Sequence, residues 1–298
     1  MKKLRHIRVL SDGRPGHENQ SVGLALALAR RTGATHEIVK IDPSAGLLSR
    51  MRAAAQSGSV DLVIGAGHRT HLPLWWAARR LKARSVVIMK PSLPFAFFDL
   101  CVMPRHDLAN PVDQGRIVTT RGSLNRIAEE PAKKNETGVV LIGGPSKHHG
   151  WDGTPLPAAI AAIVRARPDL RWTIGDSRRT PEGFLAQLSG CGAQLVPHQQ
   201  TKPGWLPAQL GAAREVWVTE DSISMIFEAL TAGARVGVLP LPVQNPRART
   251  VKAVRELMAE GYVRPFAEWV KNPAGWGAPP VLHETARCAE LIINRFFA

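Results

Sequence analysis

The sequence predicts an α/β protein with two Rossmann-type, doubly wound domains that face a cleft. Short apolar runs alternate with helical patterns in both halves of the chain. The first strand of each half is followed by a glycine-rich turn. The length of 298 residues suits two domains, and a hydrophobic content of 44% is sufficient for their cores. Ligands of such folds bind at the carboxyl ends of the strands.

The first domain is expected at residues 1–125. Its strand-like runs are apolar and short, and they lie at Ile7–Leu10, Glu37–Ile41, Leu62–Ile64, Val86–Met89 and Leu100–Met103. Helical patterns between them include Gln20–Arg30 and Leu74–Leu81. This alternation predicts a parallel sheet that is covered on both faces.

The second domain is expected at residues 126–280, beginning with a linker that lacks apolar periodicity at 126–136. Its predicted strands are again short apolar runs, at Val139–Ile142, Leu170–Ile174, Gln194–Val196, Glu215–Val218 and Val236–Leu239. Its predicted helices are Ala158–Arg165, Gly183–Leu188, Ser222–Ala232 and Arg247–Glu260. Residues 281–298 form the last part, where Leu282–Phe297 has an amphipathic helical pattern.

Charge and cysteine content restrict the partners. Lys and Arg number 39 against 24 Asp and Glu, and the resulting net charge of +15 favours an anionic partner. The basic residues are scattered without a long run, so nucleic acid is not expected as a partner. The three cysteines are far apart, which excludes a disulfide framework and indicates a reducing compartment. No apolar run resembles a signal core or a membrane span, so a cytoplasmic location is expected.

The most informative segment follows the strand Glu215–Val218. A polar turn there leads into a helix whose first turn carries Ser222 and Ser224, with Glu228 one turn further on. Free amides and hydroxyls at a helix start suit a diphosphate, and a carboxylate one turn deeper suits a ribose diol. The alternative is an ordinary capped helix, with Asp221 or Ser222 as the N-cap.

A second candidate segment follows the first strand. Gly13 and Gly16 permit a sharp turn, and Arg14 and His17 lie on it. His17 is a candidate general base for a hydroxyl group, because histidine titrates near neutrality. The alternative is a plain strand–turn–helix connection, capped near Glu18.

A third turn, with Gly67 and His68, follows the strand Leu62–Ile64 and suggests anion contact or helix capping. His68 and His71 have a helical spacing of three, but no third ligand is near in sequence, so metal binding is not expected. Lys90 and Ser92 form a weaker candidate of the same kind.

The turn that opens the second domain contains Gly143, Gly144, Ser146 and Lys147. It matches neither the nucleoside-triphosphate P-loop nor the dinucleotide fingerprint. The amides of Gly144 to Ser146, with Lys147, are predicted to hold phosphate. The polar segment Gly175–Pro181 either lines the nucleotide or is a loop ahead of a helix.

Three of these segments together resemble the mitochondrial fission ELM family over nearly the whole chain. They are the residues from Ser11 to Gln20, Gly143-Gly144-Pro145-Ser146, and Thr219 to Met225 followed by Glu228. That family is similar to GT-B glycosyltransferases, some of which act on lipid-linked acceptors. The resemblance implies a GT-B-like fold whose C-terminal helix crosses back to the first domain.

The resemblance also implies roles for individual residues. His17 would be catalytic, and an acceptor or anion would meet Gly13, Arg14, Gly16, Gly67 and His68. The nucleotide would contact Thr219, Asp221, Ser222, Ser224, Met225 and Glu228, with Gly143, Gly144, Ser146 and Lys147. Arg14-Pro15 departs from the plainer glycine turn of such enzymes and leaves acceptor and mechanism open.

The function expected on these grounds is a metal-independent glycosyltransferase that uses a nucleoside-diphosphate sugar, requires no cofactor and acts on a lipid-linked or anionic acceptor. The basic charge, with aromatic residues such as Trp75, Trp76 and Phe97, suits peripheral contact with an anionic membrane surface, although core packing also explains these rings. The alternatives are a non-catalytic scaffold that recruits a protein partner, and a sugar-nucleotide epimerase. Whether the protein is an enzyme therefore stays open.

Overall fold

A computed structural model describes residues 3–108, 113, 115–128, 134–278, 280 and 282–298. Part of the predicted linker, residues 129–133, lies outside this set, as does Pro279. The chain forms two compact units. Unit 1 comprises Met1–Arg126 and His283–Ala298, and unit 2 comprises Ile127–Leu282.

Unit 1 is built on a parallel sheet of six strands, β1 (His6–Ser11), β2 (Thr35–Lys40), β3 (Leu62–Ala66), β4 (Arg84–Ile88), β5 (Leu100–Pro104) and β6 (Ile117–Thr120). Three helices connect the first four strands, α1 (Pro15–Thr32), α2 (Leu47–Ala54) and α3 (His68–Leu81). The order across the sheet is β2-β1-β3-β4-β5-β6.

Inner strands of unit 1 such as β3 and β5 are buried on both faces because both faces are covered, whereas the edge strand β2 is mostly exposed. Val9 of β1 packs in one buried cluster with Leu24 and Leu28 of α1. The next residue, Leu10, packs on the opposite face in a cluster with Leu74 of α3. This arrangement explains the continuous apolar runs of the sequence.

Unit 2 has a second parallel six-stranded sheet, β7 (Thr137–Leu141), β8 (Arg171–Gly175), β9 (Gln194–Val196), β10 (Glu215–Thr219), β11 (Arg235–Leu239) and β12 (Arg264–Pro265). Its helices are α4 (Leu156–Ala166), α5 (Trp205–Ala212), α6 (Ile223–Thr231), α7 (Arg249–Ala259) and α8 (Phe266–Trp269). The last helix, α9 (Glu284–Phe296), belongs to unit 1, where it packs against α1.

The structure differs from the sequence prediction at several short elements. The helix expected at Gly183–Leu188 is reduced to a 3₁₀ turn at Leu185–Leu188. The sequence pattern does not predict the helices α2, α5 and α8 or the strands β6 and β12. Among the described helices, none has the length and apolar character needed to cross a membrane.

The strand order places one topological switch point in each unit. In unit 1 the chain leaves β1 towards β2 on one side and returns to β3 on the other. In unit 2 the order β12-β11-β10-β7-β8-β9 is that of a dinucleotide-binding Rossmann fold, with its switch between β7 and β10. The loops that follow β1 and β3 in unit 1, and β7 and β10 in unit 2, border the crevices where ligands of open α/β sheets bind.

Candidate functional site

A histidine–aspartate pair lies at the switch point of unit 1. Asp12 follows β1 directly, and His17 lies in the first turn of α1. The Nδ1 of His17 is 2.9 Å from Oδ2 of Asp12 and 3.2 Å from Oδ1. The Asp12 side chain is 0% exposed and the His17 side chain is 18% exposed. The carboxylate accepts the Nδ1 proton, so Nε2 is the basic nitrogen available to a ligand.

The loop after β3 packs directly on this pair. Gly67 has a φ of 87°, and a Cβ at this position would collide with the His17 ring and lie 2.9 Å from the Asp12 carboxylate. Only glycine both adopts this positive φ easily and leaves room for the His17 ring. His68, the first residue of α3, is exposed beside Gly67. The structure therefore brings Gly67 and His68 to the same edge as His17.

The turn between β1 and α1 is held by side-chain hydrogen bonds. The Ser11 hydroxyl donates to Glu18 over 2.7 Å and accepts from the Gly13 amide over 3.1 Å. The Ser11 hydrogen bond is the largest cause that lowers the pKa of Glu18 below its ordinary value. Gly13, Arg14 and Gly16 are exposed on this turn, so their surfaces are open to a ligand.

His71, one turn further along α3, is buried. Its Nδ1 accepts the Ser92 amide proton over 3.0 Å, and Ser92 Oγ lies 2.8 Å from the same nitrogen. Burial lowers the pKa of His71 to about 4, so the ring is neutral near pH 7. Ser92 thus contacts His71. Within the described ranges no group of three or more His, Cys, Asp or Glu side chains could hold a metal ion.

At the switch point of unit 2, two loops are joined by hydrogen bonds. The amide of Gly143 donates to Oγ1 of Thr219 over 2.8 Å, and the amide of Gly144 donates to Oδ2 of Asp221 over 3.2 Å. The Ser146 amide donates to the His149 carbonyl over 2.9 Å. The structure therefore differs from the prediction that amides from Gly144 to Ser146 hold phosphate. These buried amides need acceptors, and the protein supplies them internally.

The polar side chains of these two loops either form hydrogen bonds close by or face solvent. The Ser146 hydroxyl accepts the amide protons of His148 and His149, over 3.2 and 3.1 Å. Thr219 is fully buried, so its hydroxyl supports the loop and does not face solvent. Lys147 is exposed, which leaves its ammonium group free to reach an anion.

Arg179 completes this edge, and it lies in the segment Gly175–Pro181, for which the sequence leaves open a nucleotide-lining role or a plain loop. Arg179, from the loop after β8, lies 2.6 Å from Oδ2 of Asp221 and donates to Ser222 Oγ over 3.0 Å. It also donates to the Gly144 carbonyl over 3.1 Å. The Asp221 side chain is 0% exposed, whereas that of Arg179 is 41% exposed. Its position after β8, beside β7, was the available sequence signal.

The first turn of α6 keeps its amides open. Ser222 is the N-cap, but its side chain makes no capping hydrogen bond and donates to Asp221 over 3.0 Å. Within the described part of the chain, the amides of residues 223–225 donate to no acceptor. Ser224 is exposed, and Glu228 is half-buried one turn later. The amides and the exposed Ser224 hydroxyl therefore stay available to a diphosphate. The Ser222 hydroxyl, which the sequence also predicts to bind the diphosphate, is instead buried and bonded to Asp221 and Arg179.

Comparison with known proteins gives a family-level match. A family model described as Mitochondrial fission ELM1 matches residues 15–296. The Mitochondrial fission protein ELM1 of Arabidopsis thaliana is 21% identical over 295 residues, covering 83% of this chain and 66% of that protein. An uncharacterised protein of Rickettsia prowazekii is 22% identical, covering 96% of this chain and 97% of that protein.

Solved structures match over almost the full chain. A Listeria monocytogenes protein, provisionally assigned as a UDP-N-acetylglucosamine 2-epimerase, has a TM-score of 0.62 at 12% identity and covers 99% of this chain and 97% of its own. The MurG protein of Acinetobacter baumannii has a TM-score of 0.52 at 14% identity, covering 97% and 99%. The UDP-GlcNAc 2-epimerase of Neisseria meningitidis, bound to UDP-GlcNAc, has 0.54 at 13%, covering 98% and 99%. At these identities the likeness shows a GT-B-like fold.

Proposed function

The chain belongs to the mitochondrial fission ELM1 family, and from this premise we propose that it binds a nucleoside-diphosphate sugar in unit 2 and transfers the sugar to a hydroxyl acceptor. The observation that carries the proposal is the open first turn of α6 at the unit 2 switch point, with the Arg179 guanidinium beside it. Helix N-termini at such points favour diphosphates.

The donor would be held without a metal ion. The diphosphate would accept the amide protons of residues 223–225 and the Ser224 hydroxyl proton, while the dipole of α6 favours its negative charge. Arg179 would bridge Asp221 and a phosphate oxygen, because a guanidinium has five N–H donors. Glu228 would accept the hydroxyl protons of the ribose. Amides, dipole and guanidinium together stabilise a leaving diphosphate.

Proton removal is assigned to unit 1. The Nε2 of His17 would take the proton from the acceptor hydroxyl, while Asp12 holds the ring and stabilises the imidazolium that forms. Arg14, exposed at the N-cap of α1, would attract an anionic acceptor. A net charge of +15 also fits an acceptor on an anionic membrane surface.

A second candidate, a sugar-nucleotide epimerase, is favoured by the fold neighbours. Two of the three structures compared above are described as UDP-N-acetylglucosamine 2-epimerases, one of them only provisionally. An epimerase would change the donor without an acceptor. A non-catalytic scaffold that recruits a protein partner would change no sugar nucleotide at all.

The test has two stages. The native chain is first titrated by calorimetry with UDP, GDP and their common sugar conjugates. The proposal expects at least one Kd tighter than about 1 mM, which corresponds to roughly −4 kcal/mol. Failure of every nucleotide would remove the transferase and the epimerase together and leave the scaffold.

The second stage follows the chemistry of the donor that binds. Native protein, His17→Gln and Asp12→Asn are incubated with donor and with lipid-linked acceptors, and products are separated by chromatography. Transfer by the native protein alone supports the proposal. Formation of an epimer without acceptor would replace it with the second candidate. Donor binding must survive in both variants, because His17 and Asp12 belong to unit 1.

A further inference from the structure

We propose that unit 1 carries a second binding site, a cavity for the phosphate headgroup of an anionic membrane lipid. The cavity has a volume of about 350 Å³. Its lining includes three aromatic side chains, Trp75, Phe97 and Phe98, and three basic ones, Arg79, Lys82 and Arg116. We refer to it below as the headgroup cavity. The proposal is independent of sugar-nucleotide binding.

The headgroup cavity lies at the opposite edge of the sheet from His17. It is lined by Ser85 at the beginning of β4, by Asp99 just before β5 and by Arg116 just before β6. The C-terminal turn of α3 supplies Arg79 and Lys82. Since the strands of unit 1 are parallel, their amino ends share one edge, whereas Asp12 follows the carboxyl end of β1. The cavity is thus separate from the candidate catalytic pair.

The charge of the lining favours an anion. Asp99 is the acidic side chain of the lining, and its carboxylate is already satisfied by Arg84 at 3.0 Å and by the amide and hydroxyl of Ser85 at 2.9 and 2.8 Å. Arg79, Lys82 and Arg116 form no ion pair within the described residues. Three cations therefore border the cavity without a neutralising carboxylate of their own, which suits phosphate.

The aromatic side chains indicate that the phosphate belongs to a membrane surface. The Arg79 guanidinium lies 5.1 Å from the Trp75 ring centroid, and Phe97 packs on the same ring at 5.3 Å. Phe97 and Trp76 are each 37% exposed. Trp76 lies on the face of α3 that also presents Arg79 and Arg80. Exposed aromatic rings among basic residues are typical of protein surfaces at the membrane interface.

Lys82 provides a clean way to remove one charge. It follows the last residue of α3 with a φ of 54°, the left-handed conformation that glycine adopts most easily at a helix end. Lys82→Gly therefore removes a cation and relieves backbone strain at the same time. Loss of lipid binding in this variant cannot be ascribed to unfolding if its melting temperature stays level or rises.

The test is co-sedimentation of the full chain with vesicles of phosphatidylcholine, with and without phosphatidylglycerol. Each basic residue near an anionic surface contributes about 1 kcal/mol, so Arg79→Gln/Lys82→Gly should lower the partition coefficient roughly 30-fold. Lys202→Gln/Lys271→Gln removes the same charge from exposed positions of unit 2 and is the matched control. Trp76→Ser should weaken retention with no change in charge.

Selective loss in Arg79→Gln/Lys82→Gly supports the headgroup cavity, because both residues line it, and weaker retention of Trp76→Ser supports contact of the adjoining surface with the membrane. Equal loss in the control would show diffuse attraction by the net charge and overturn the proposal, as would failure of the native chain to sediment with the anionic vesicles. Glycerol 3-phosphate is titrated in parallel. If it binds through Arg79 and Lys82 while vesicles do not, the site takes a free phosphate and the membrane assignment is wrong.

Discussion

Replacing His71 by asparagine should change how the stability of the protein depends on pH. The His71 ring is only 2% exposed, and burial is the main cause that lowers its pKa from 6.5 to about 4. The neighbouring His68 and His17 lower it further, and Asp12 acts in the opposite direction. Protonation of Nδ1 would also remove the acceptor of the Ser92 amide proton.

The direction of the pH dependence follows from the pKa values of His71 in the unfolded and in the folded chain. In the unfolded chain His71 binds a proton as the pH falls through 6.5, whereas in the folded chain it resists protonation until about pH 4. Below pH 6.5 the unfolded state therefore binds more protons, and stability falls as the pH falls. The full difference corresponds to about 3 kcal/mol, present above pH 6.5 and lost by about pH 4.

The assay is urea unfolding at intervals from pH 7 to pH 4. Asparagine keeps an acceptor near the Nδ1 position but does not titrate, so His71→Asn should lose less stability on acidification than the native chain, by up to about 3 kcal/mol. The other titratable groups are the same in both proteins, so their contributions to the pH dependence cancel in the difference. His36→Asn, at an exposed position of β2, should keep the native pH dependence. Parallel curves for native protein and His71→Asn would refute the buried neutral histidine.

Two further predictions concern the loops. Gly67→Ala should lose stability and also displace the His17 ring, which a shift of the His17 NMR resonances would report. Gly33→Ala has a similar φ of 73° but no atom near its Cβ, so it should lose only the roughly 1–2 kcal/mol of a non-glycine residue in the left-handed conformation and leave His17 unmoved. Arg179→Met should lower the free energy of unfolding by about 1–3 kcal/mol, because the Asp221 carboxylate stays buried without its cation. Adding Asp221→Asn removes the unpaired charge and should recover most of this loss. A double variant that is as unstable as Arg179→Met alone would contradict this explanation.

The α/β architecture was predictable because its signal is local. Continuous apolar runs such as β3, buried throughout, mark strands that are covered on both faces. The elements that escaped prediction lack such a signal. The helix α2 buries only Ala54, α5 contains a proline and buries only Leu210, and β12 has two residues. Tertiary contacts, not sequence pattern, stabilise them.

The position of the candidate sites was also predictable, but the hydrogen-bond and ion-pair partners of their residues were not. Residues that follow a strand lie at its carboxyl edge, which is enough to place His17, Gly67, Gly143 and Ser222 near the switch points. Which donor meets which acceptor depends on how separate loops fold together. The amide of Gly144 donates to Asp221, and Asp221 forms an ion pair with Arg179 from another loop. No local sequence pattern predicts these partners.

A calorimetric titration of Ser224→Asp with the nucleotide that binds the native chain tests the central claim most directly. Ser224 is exposed in the first turn of α6, so a carboxylate there leaves packing intact and interacts favourably with the helix dipole. The same carboxylate would repel a diphosphate. We expect an unchanged or higher melting temperature with nucleotide affinity reduced at least tenfold, about 1.4 kcal/mol. Undiminished affinity in this variant would show that the nucleotide binds elsewhere.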